Sequence, residues 1–237
     1  MSEALWLADS YAREAEAKVL AVTEEGGLIL DRTLFYPAGG GQPGDSGRLR
    51  WQGGEIGIAT AVKGERGPVL VPAEPAPLPR VGVTVRQVID WERRHRHMRV
   101  HTALHLLSVV VPLPVTGGAI SAEKGRLDFD MADPPEDRDA LEADLNRLVE
   151  ADFPVSAEWI DETELDANPG LVKTLSVQPP RGAGRIRLVR IGFGEATADL
   201  QPCGGTHVAS TAEIGRLRLG KIEKKGQQNR RISIHLA

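Results

Sequence analysis

The stretch "HTALH", residues 101–105, sets His101 and His105 four positions apart inside an apolar run. On a helix that spacing stacks two imidazoles on one face, one turn apart, where both can reach a single metal ion. The residue after His101 is Thr102, not the glutamate that a metalloprotease helix carries as its general base, so the pair is not a protease site. A second cluster, "CGGTH" at 203–207, repeats the spacing with Cys203 and His207, and Gly204 and Gly205 between them let the backbone fold tightly around a ligand. Three of the six histidines and the single cysteine therefore fall into two matching patterns. Three imidazoles and a thiolate form a donor set suited to zinc, Zn2+.

Four protein ligands normally close a structural zinc site, while a catalytic site keeps a position open. The spacing is consistent with both: a staple joining the "HTALH" helix to the "CGGTH" loop, or a site with one loose ligand that admits water or substrate. Thr102 adjoins the first ligand and its hydroxyl could meet a substrate; the alternative is local bonding to the helix backbone. His95, His97 and His235 have no such partners and are expected at the surface or an interface.

The elements that must position these residues change character along the chain. Up to about residue 92, "KVLAV", "GLILDRTLFYP", "GRLRW", "IGIATAV" and "GVTVRQVID" are short, rich in β-branched residues and separated by glycine-containing turns, which predicts a small barrel or sandwich. The proline-rich "VPAEPAPLPR", 71–80, is expected to be a loop within it, with a domain linker as the alternative. Beyond that point "MRVHTALHLLSVVV" reads as a helix with Val100, Leu104 and Leu107 as its buried stripe. "GGAISAEKGRLDFDM" reads as a hairpin turning at Lys124 and Gly125. "DPPEDRDALEADLNRLVEAD" reads as a helix capped by Asp133, with both prolines in its first turn and Leu141, Leu145, Leu148 and Val149 on one face. Strands are expected at "FPVSAEWI", "RIRLVRI", "EIGRLRLGKI" and "QQNRRISIHL". The fold class is α+β: a small N-terminal β-barrel over residues 1–92, packed on a C-terminal α+β domain over 93–237.

A chain of 237 residues suits one large domain or two small ones. No run approaches the roughly 18 apolar residues of a membrane span, the start is no signal peptide, and one cysteine makes no internal disulfide, so a cytoplasmic protein is expected. The net charge of −4 hides an asymmetry: residues 215–231 carry seven basic residues and one acid, while 133–166 are heavily acidic. A basic face on one side suits a polyanionic partner. Arg216 and Arg218 alternate on a strand and share a face, with Lys221, Lys224 and Lys225 in the adjoining turn, and this is the patch expected to hold phosphates.

"HTALH", then "CGGTHV", then "EIGRLRLGKIEKKG" resembles the editing domain of alanyl-tRNA synthetases, and more closely the free-standing AlaX-type alanyl-tRNA editing proteins. "FYPAGGGQPGDSG", 35–47, looks like the glycine-rich motif of the larger members. The resemblance implies a trans-acting deacylase that hydrolyses the ester joining serine, and in some members glycine, to the 3′ end of tRNA(Ala). It implies a barrel packed on an editing domain, with His101, His105, Cys203 and His207 as zinc ligands. It further implies that Gly39, Gly40, Gly41 and Gln42 line the pocket and that a threonine like Thr102 helps to recognise the serine hydroxyl. Synthetases tend to carry a glutamine-glycine-serine run where this chain has "TGGAISAEKGRLDFD", which fits the free-standing side of the family.

An aminoacyl ester is already activated, so its hydrolysis needs a positioned water and stabilisation of a tetrahedral oxyanion. Backbone N–H groups of Gly204 and Gly205, or of Gly39 to Gly41, are the candidates for binding that oxyanion; tight turns are their other role. Two rival readings are a non-enzymatic zinc-stapled RNA-binding module and a zinc hydrolase acting on a small molecule. The sequence leaves the oligomeric state open.

Overall fold

Alternation of apolar and polar residues builds the first sheet. In the computed structural model, which describes residues 2–175, 182 and 184–237, β1 (Glu14–Val22) turns Ala17 and Val19 inward and leaves Glu14, Glu16, Lys18 and Leu20 exposed. β2 (Leu28–Leu30), β3 (Gly47–Trp51), β4 (Gly54–Val62), β5 (Val69–Pro72) and β6 (Thr84–Ile89) complete a closed barrel in the order β1-β2-β5-β4-β3-β6. Every pairing in it is antiparallel. Closure leaves no open sheet edge, and Leu28, Leu30, Phe35, Leu49, Leu70 and Val85 fill the interior. Emptying one such position, Leu49→Ala for example, costs on the order of 3 kcal/mol in a packed core. The proline-rich segment, beyond Pro72, connects β5 to β6 and is therefore a loop of the barrel.

The chain divides after His97 into two units. Helix α1 (Trp91–Val110) starts seven residues before the expected Met98 because "WERRHRHM" has no breaker and Asp90 accepts from the Arg93 N–H and the Arg94 N–H at its entry. Val100, Leu104 and Leu107 are buried, but so are Met98, Ala103 and Leu106. From Met98 onward the helix is buried nearly all round, its polar His101, Thr102, His105 and Ser108 included, as befits a helix at the centre of a unit and not on its surface.

Two antiparallel sheets and further helices complete the second unit. β7 (Val115–Ile120), β8 (Lys124–Asp130), β12 (Leu217–Gly226) and β13 (Asn229–Leu236) form one, in the order β12-β13-β8-β7. β9 (Val155–Asp161), β10 (Arg185–Ile191) and β11 (Asp199–Pro202) form the other, in chain order. Helix α2 (Arg138–Glu150) buries Leu141, Leu145 and Val149, an i, i+4, i+8 stripe, and leaves Leu148 half-buried. Its cap is Asp137, not Asp133: the Asp137 carboxylate accepts from the Ala140 N–H at 2.9 Å. Pro134 and Pro135 lie ahead of the helix, because a residue that precedes a proline is steered away from helical backbone.

Candidate metal centre

The centre is assembled from two elements distant in sequence. His101 and His105 project from the buried part of α1, one turn apart. Cys203 follows the end of β11 directly, and its N–H donates to the Arg187 carbonyl of β10, which continues the sheet pairing by one residue. The glycine pair then turns the chain back to His207. The Nε2 and Sγ donors meet: Cys203 Sγ lies 3.5 Å from His101 Nε2 and 3.2 Å from His207 Nε2. One ligand atom from each of His101, His105, Cys203 and His207 falls within 4.8 Å of all the others. The three histidines are buried, and the ring centres of His101 and His105 lie 4.3 and 4.6 Å from that of His207.

Electrostatics favour a cation there. Burial pushes the Cys203 thiol up, but the neighbouring imidazoles of His101 and His207 outweigh it and hold the group well below its ordinary value, as a thiolate. Burial also works against charge on His105, yet the hydrogen bond to Asp199 and the thiolate raise it to about 9. Burial and the adjacent His101 take His207 down to about 3. Cys203 and Asp199 thus both draw positive charge towards the His105 imidazole. The donor set, the burial and this demand for positive charge all fit a bound metal ion.

Partners outside the quartet orient it. Asp199 Oδ2 lies 2.9 Å from His105 Nδ1 and accepts from Gln201 Nε2 at 2.7 Å, while Lys173 Nζ sits 2.5 Å from Asp199 Oδ1. Burial raises the Asp199 carboxyl, but the bond to His105 and the charge on Lys173 hold it below the usual carboxylate range. Arg187 Nη1 donates to the Cys203 carbonyl at 2.8 Å and the Gly205 carbonyl at 3.1 Å, clasping the glycine turn. None of Asp199, Lys173, Gln201 and Arg187 was expected from the sequence. The available signal is period 2: residues 199, 201 and 203 share one face of a strand that leads into the cysteine.

The remaining expected residues separate. Thr102 is fully buried, and its hydroxyl lies 3.0 Å from the Met98 carbonyl, 3.1 Å from His207 Nδ1 and 3.3 Å from the Val208 nitrogen. The bond to Met98 is the helix-backbone alternative. Gly205 N–H points at Cys203 Sγ at 3.4 Å, whereas Gly204 is exposed and a Cβ placed on it would meet nothing within 4 Å.

In the first unit Gly40 and Gly41 take φ of +57° and +82°, the centre of a tight turn closed by reciprocal bonds between Gly39 and Gln42 at 3.0 and 2.9 Å. The Gly39 N–H is thereby committed, and Gln42 is buried. Asp45 of the same motif is locked by a wholly buried Arg94, whose Nε lies 2.9 Å from both its carboxylate oxygens. His97, expected at the surface or an interface, is 2 % exposed and so not at the surface, and its Nδ1 has no hydrogen-bond partner among the described residues.

The basic residues do not form one face. Lys221, Lys224 and Lys225 lie on β12, not in a turn, and the strand is bulged between Leu219 and Ile222 and again after Lys224. Lys224 pairs across the strands with Arg230, and Glu223 with Arg231, so Lys224 and Glu223 point to opposite faces. Lys225 Nζ is 3.5 Å from a Glu223 carboxylate oxygen. Arg218, Lys221, Lys224 and Lys225 are exposed, and so is Arg216, just ahead of the strand.

Each of the two units matches a family of domains named for tRNA synthetases. A family model described as "tRNA synthetases class II (A)" matches residues 4–93, and one described as "Threonyl and Alanyl tRNA synthetase second additional domain" matches 186–233. The alanyl-tRNA editing protein AlaX-M of Methanosarcina acetivorans is 34% identical over 243 residues, 98% of each chain. That of Saccharolobus solfataricus is 35% identical over 240 residues, again 98% of each. The alanine–tRNA ligase of Caldivirga maquilingensis is 38% identical over 228 residues, but these cover only 25% of that ligase. The chain belongs to the AlaX family of alanyl-tRNA editing proteins.

Proposed function

We propose that this protein is a free-standing, cytoplasmic aminoacyl-tRNA hydrolase that removes serine, and secondarily glycine, from mischarged tRNA(Ala), with zinc in the His101–His105–Cys203–His207 centre. The observation that carries the reading is the convergence of those four donor atoms within 4.8 Å in a chain of this family. The metal, when bound, supplies a Lewis acid that polarises the ester and fixes the geometry of attack. The protein's own groups do the rest. Asp199 holds His105 by its Nδ1 so that Nε2 faces the centre, and Arg187 fixes the carbonyls of the glycine turn. Gly204, exposed beside Cys203 with open space where a Cβ would stand, supplies its backbone N–H to the oxyanion in this reading. Gly205 shapes the turn by donating to the thiolate. In this reading residues 1–92 form the N-terminal barrel domain and 93–237 the editing domain, and Gly40, Gly41 and Gln42 bind substrate with Gly39 as their support. Arg216, Arg218, Lys221, Lys224 and Lys225 hold tRNA phosphates.

Alanine is smaller than serine, so size alone does not spare the correct product; a pocket that hydrogen-bonds the serine hydroxyl rejects a ligand lacking it by up to ~10⁴-fold. The test is a deacylation panel of Ser-, Gly- and Ala-tRNA(Ala) with the wild type and Cys203→Ala. The reading expects serine release by the wild type, spared alanine, and loss of activity in the variant. Equal activity of the variant removes the metal from the chemistry.

A second reading has one observation in its favour: all four donors come from the protein, as in closed structural zinc sites. A zinc-stapled RNA-binding module would unfold on chelation and release no amino acid, whereas the hydrolase would stay folded and lose activity.

A further inference from the structure

We propose that Thr102 is a positioning residue for His207 and does not read the substrate's hydroxyl. The inference rests on the quartet being a metal site. A hydroxyl has one proton to give and two lone pairs to receive with. Thr102 Oγ1 has three partners inside the protein: the Met98 carbonyl at 3.0 Å, the Val208 N–H at 3.3 Å and His207 Nδ1 at 3.1 Å. Carbonyl oxygens only accept and amide N–H groups only donate, so two of the three directions are settled. Thr102 gives its proton to Met98 and accepts from Val208, and the remaining lone pair accepts from His207 Nδ1–H.

That assignment places the imidazole proton on Nδ1 and leaves the Nε2 lone pair facing Cys203 Sγ, 3.2 Å away, at the centre of the quartet. His105 is arranged the same way, its Nδ1 against Asp199 Oδ2. The two halves of the site thus use one device with different acceptors, a carboxylate for the first imidazole and a neutral hydroxyl for the second. The outer partner fixes both tautomer and ring orientation. Thr102 is 0% exposed and its hydrogen-bonding capacity is spent, so a substrate hydroxyl finds nothing there to bind. Selection of serine over alanine falls to other groups.

The test compares Thr102→Val, which keeps the shape and removes the hydroxyl, with Thr102→Ser, which keeps the hydroxyl. Zinc affinity is read by competition with a chromophoric chelator, and coordination by the visible absorption of the cobalt-substituted protein. The proposal expects Thr102→Val to bind zinc about 10–100-fold more weakly, with altered cobalt bands, and Thr102→Ser to restore both. It expects the Ser/Ala deacylation ratio of zinc-saturated Thr102→Val to match the wild type. Full zinc affinity with a collapsed Ser/Ala ratio overturns it. Should the valine variant not fold, ¹⁵N shifts of His207 in the zinc-loaded wild type decide: a protonated Nδ1 supports the assignment and a protonated Nε2 overturns it. The zinc measurements stand apart from tRNA chemistry, so absence of any deacylation would count against the editing function alone.

Discussion

Asp199 Oδ2 sits 2.9 Å from His105 Nδ1, inside a buried network that also takes in Lys173 and Gln201. Asp199→Asn keeps the volume but removes the charge that holds the ring. Zinc affinity should fall about 10–100-fold, the usual loss when a ligand's outer partner is changed. Chelator competition measures it, and an unchanged affinity would mean that His105 is oriented by its helix alone.

Arg187 is 9% exposed and spends Nη1 on two carbonyls of the glycine turn. Arg187→Leu leaves both acceptors without a donor in a buried place, a loss of about 1–3 kcal/mol. The melting temperature of the zinc-loaded protein should drop accordingly. An unaltered melting temperature would show that the turn holds itself.

Gly204 has no steric reason to be glycine, since its φ is not positive and a Cβ has open space. Gly204→Ala should therefore fold and bind zinc as the wild type does while slowing deacylation, because the added methyl intrudes where substrate is expected. Wild-type rates in a zinc-replete Gly204→Ala protein would place the reacting ester elsewhere.

His97 is buried, and burial lowers it to about 4. Its unfolded-state value is near 6.5, so between those values the unfolded chain binds the extra proton and stability rises with pH. The contribution is complete above about pH 6.5 and is lost as pH falls towards 4, roughly 3 kcal/mol at its full extent. His97→Leu has no such proton and no orphaned Nδ1. Denaturation curves at pH 7 and pH 4.5 should show a smaller acid-induced loss in the variant; parallel losses in both proteins would contradict this.

Arg218 and Lys221 are exposed on β12, whereas Lys225 shares its charge with Glu223. Replacing Arg218 and Lys221 by alanine should weaken binding of all tRNAs alike and lower the slope of log K against log salt by about 2. Lys225→Ala should do less. An unaltered slope in the double variant would move the phosphate contacts off this strand.

How much of this was legible in the sequence follows from the range of each interaction. The quartet was legible because each half is a local spacing, and helix or turn geometry makes local spacing meaningful. Asp199 and Arg187 were not, because their roles depend on β10 pairing with β11, and on His105 reaching a strand 94 residues further along the chain. Thr102 was legible only as two alternatives, since a hydroxyl beside a ligand can face outward or back into the helix. The capping error at α2 came from counting prolines as first-turn residues when the aspartate after them was the better acceptor. Lysines 221, 224 and 225 read as a turn because glycines flank them, yet pairing with β13 carries the strand through both bulges.

The most direct measurement is Ser-tRNA(Ala) deacylation by metal-stripped protein during titration with zinc, with folding monitored alongside. The account predicts a folded, inactive stripped protein whose activity rises linearly and levels off at one zinc per chain. Undiminished activity in the stripped protein, or no serine release at any zinc level, would contradict it.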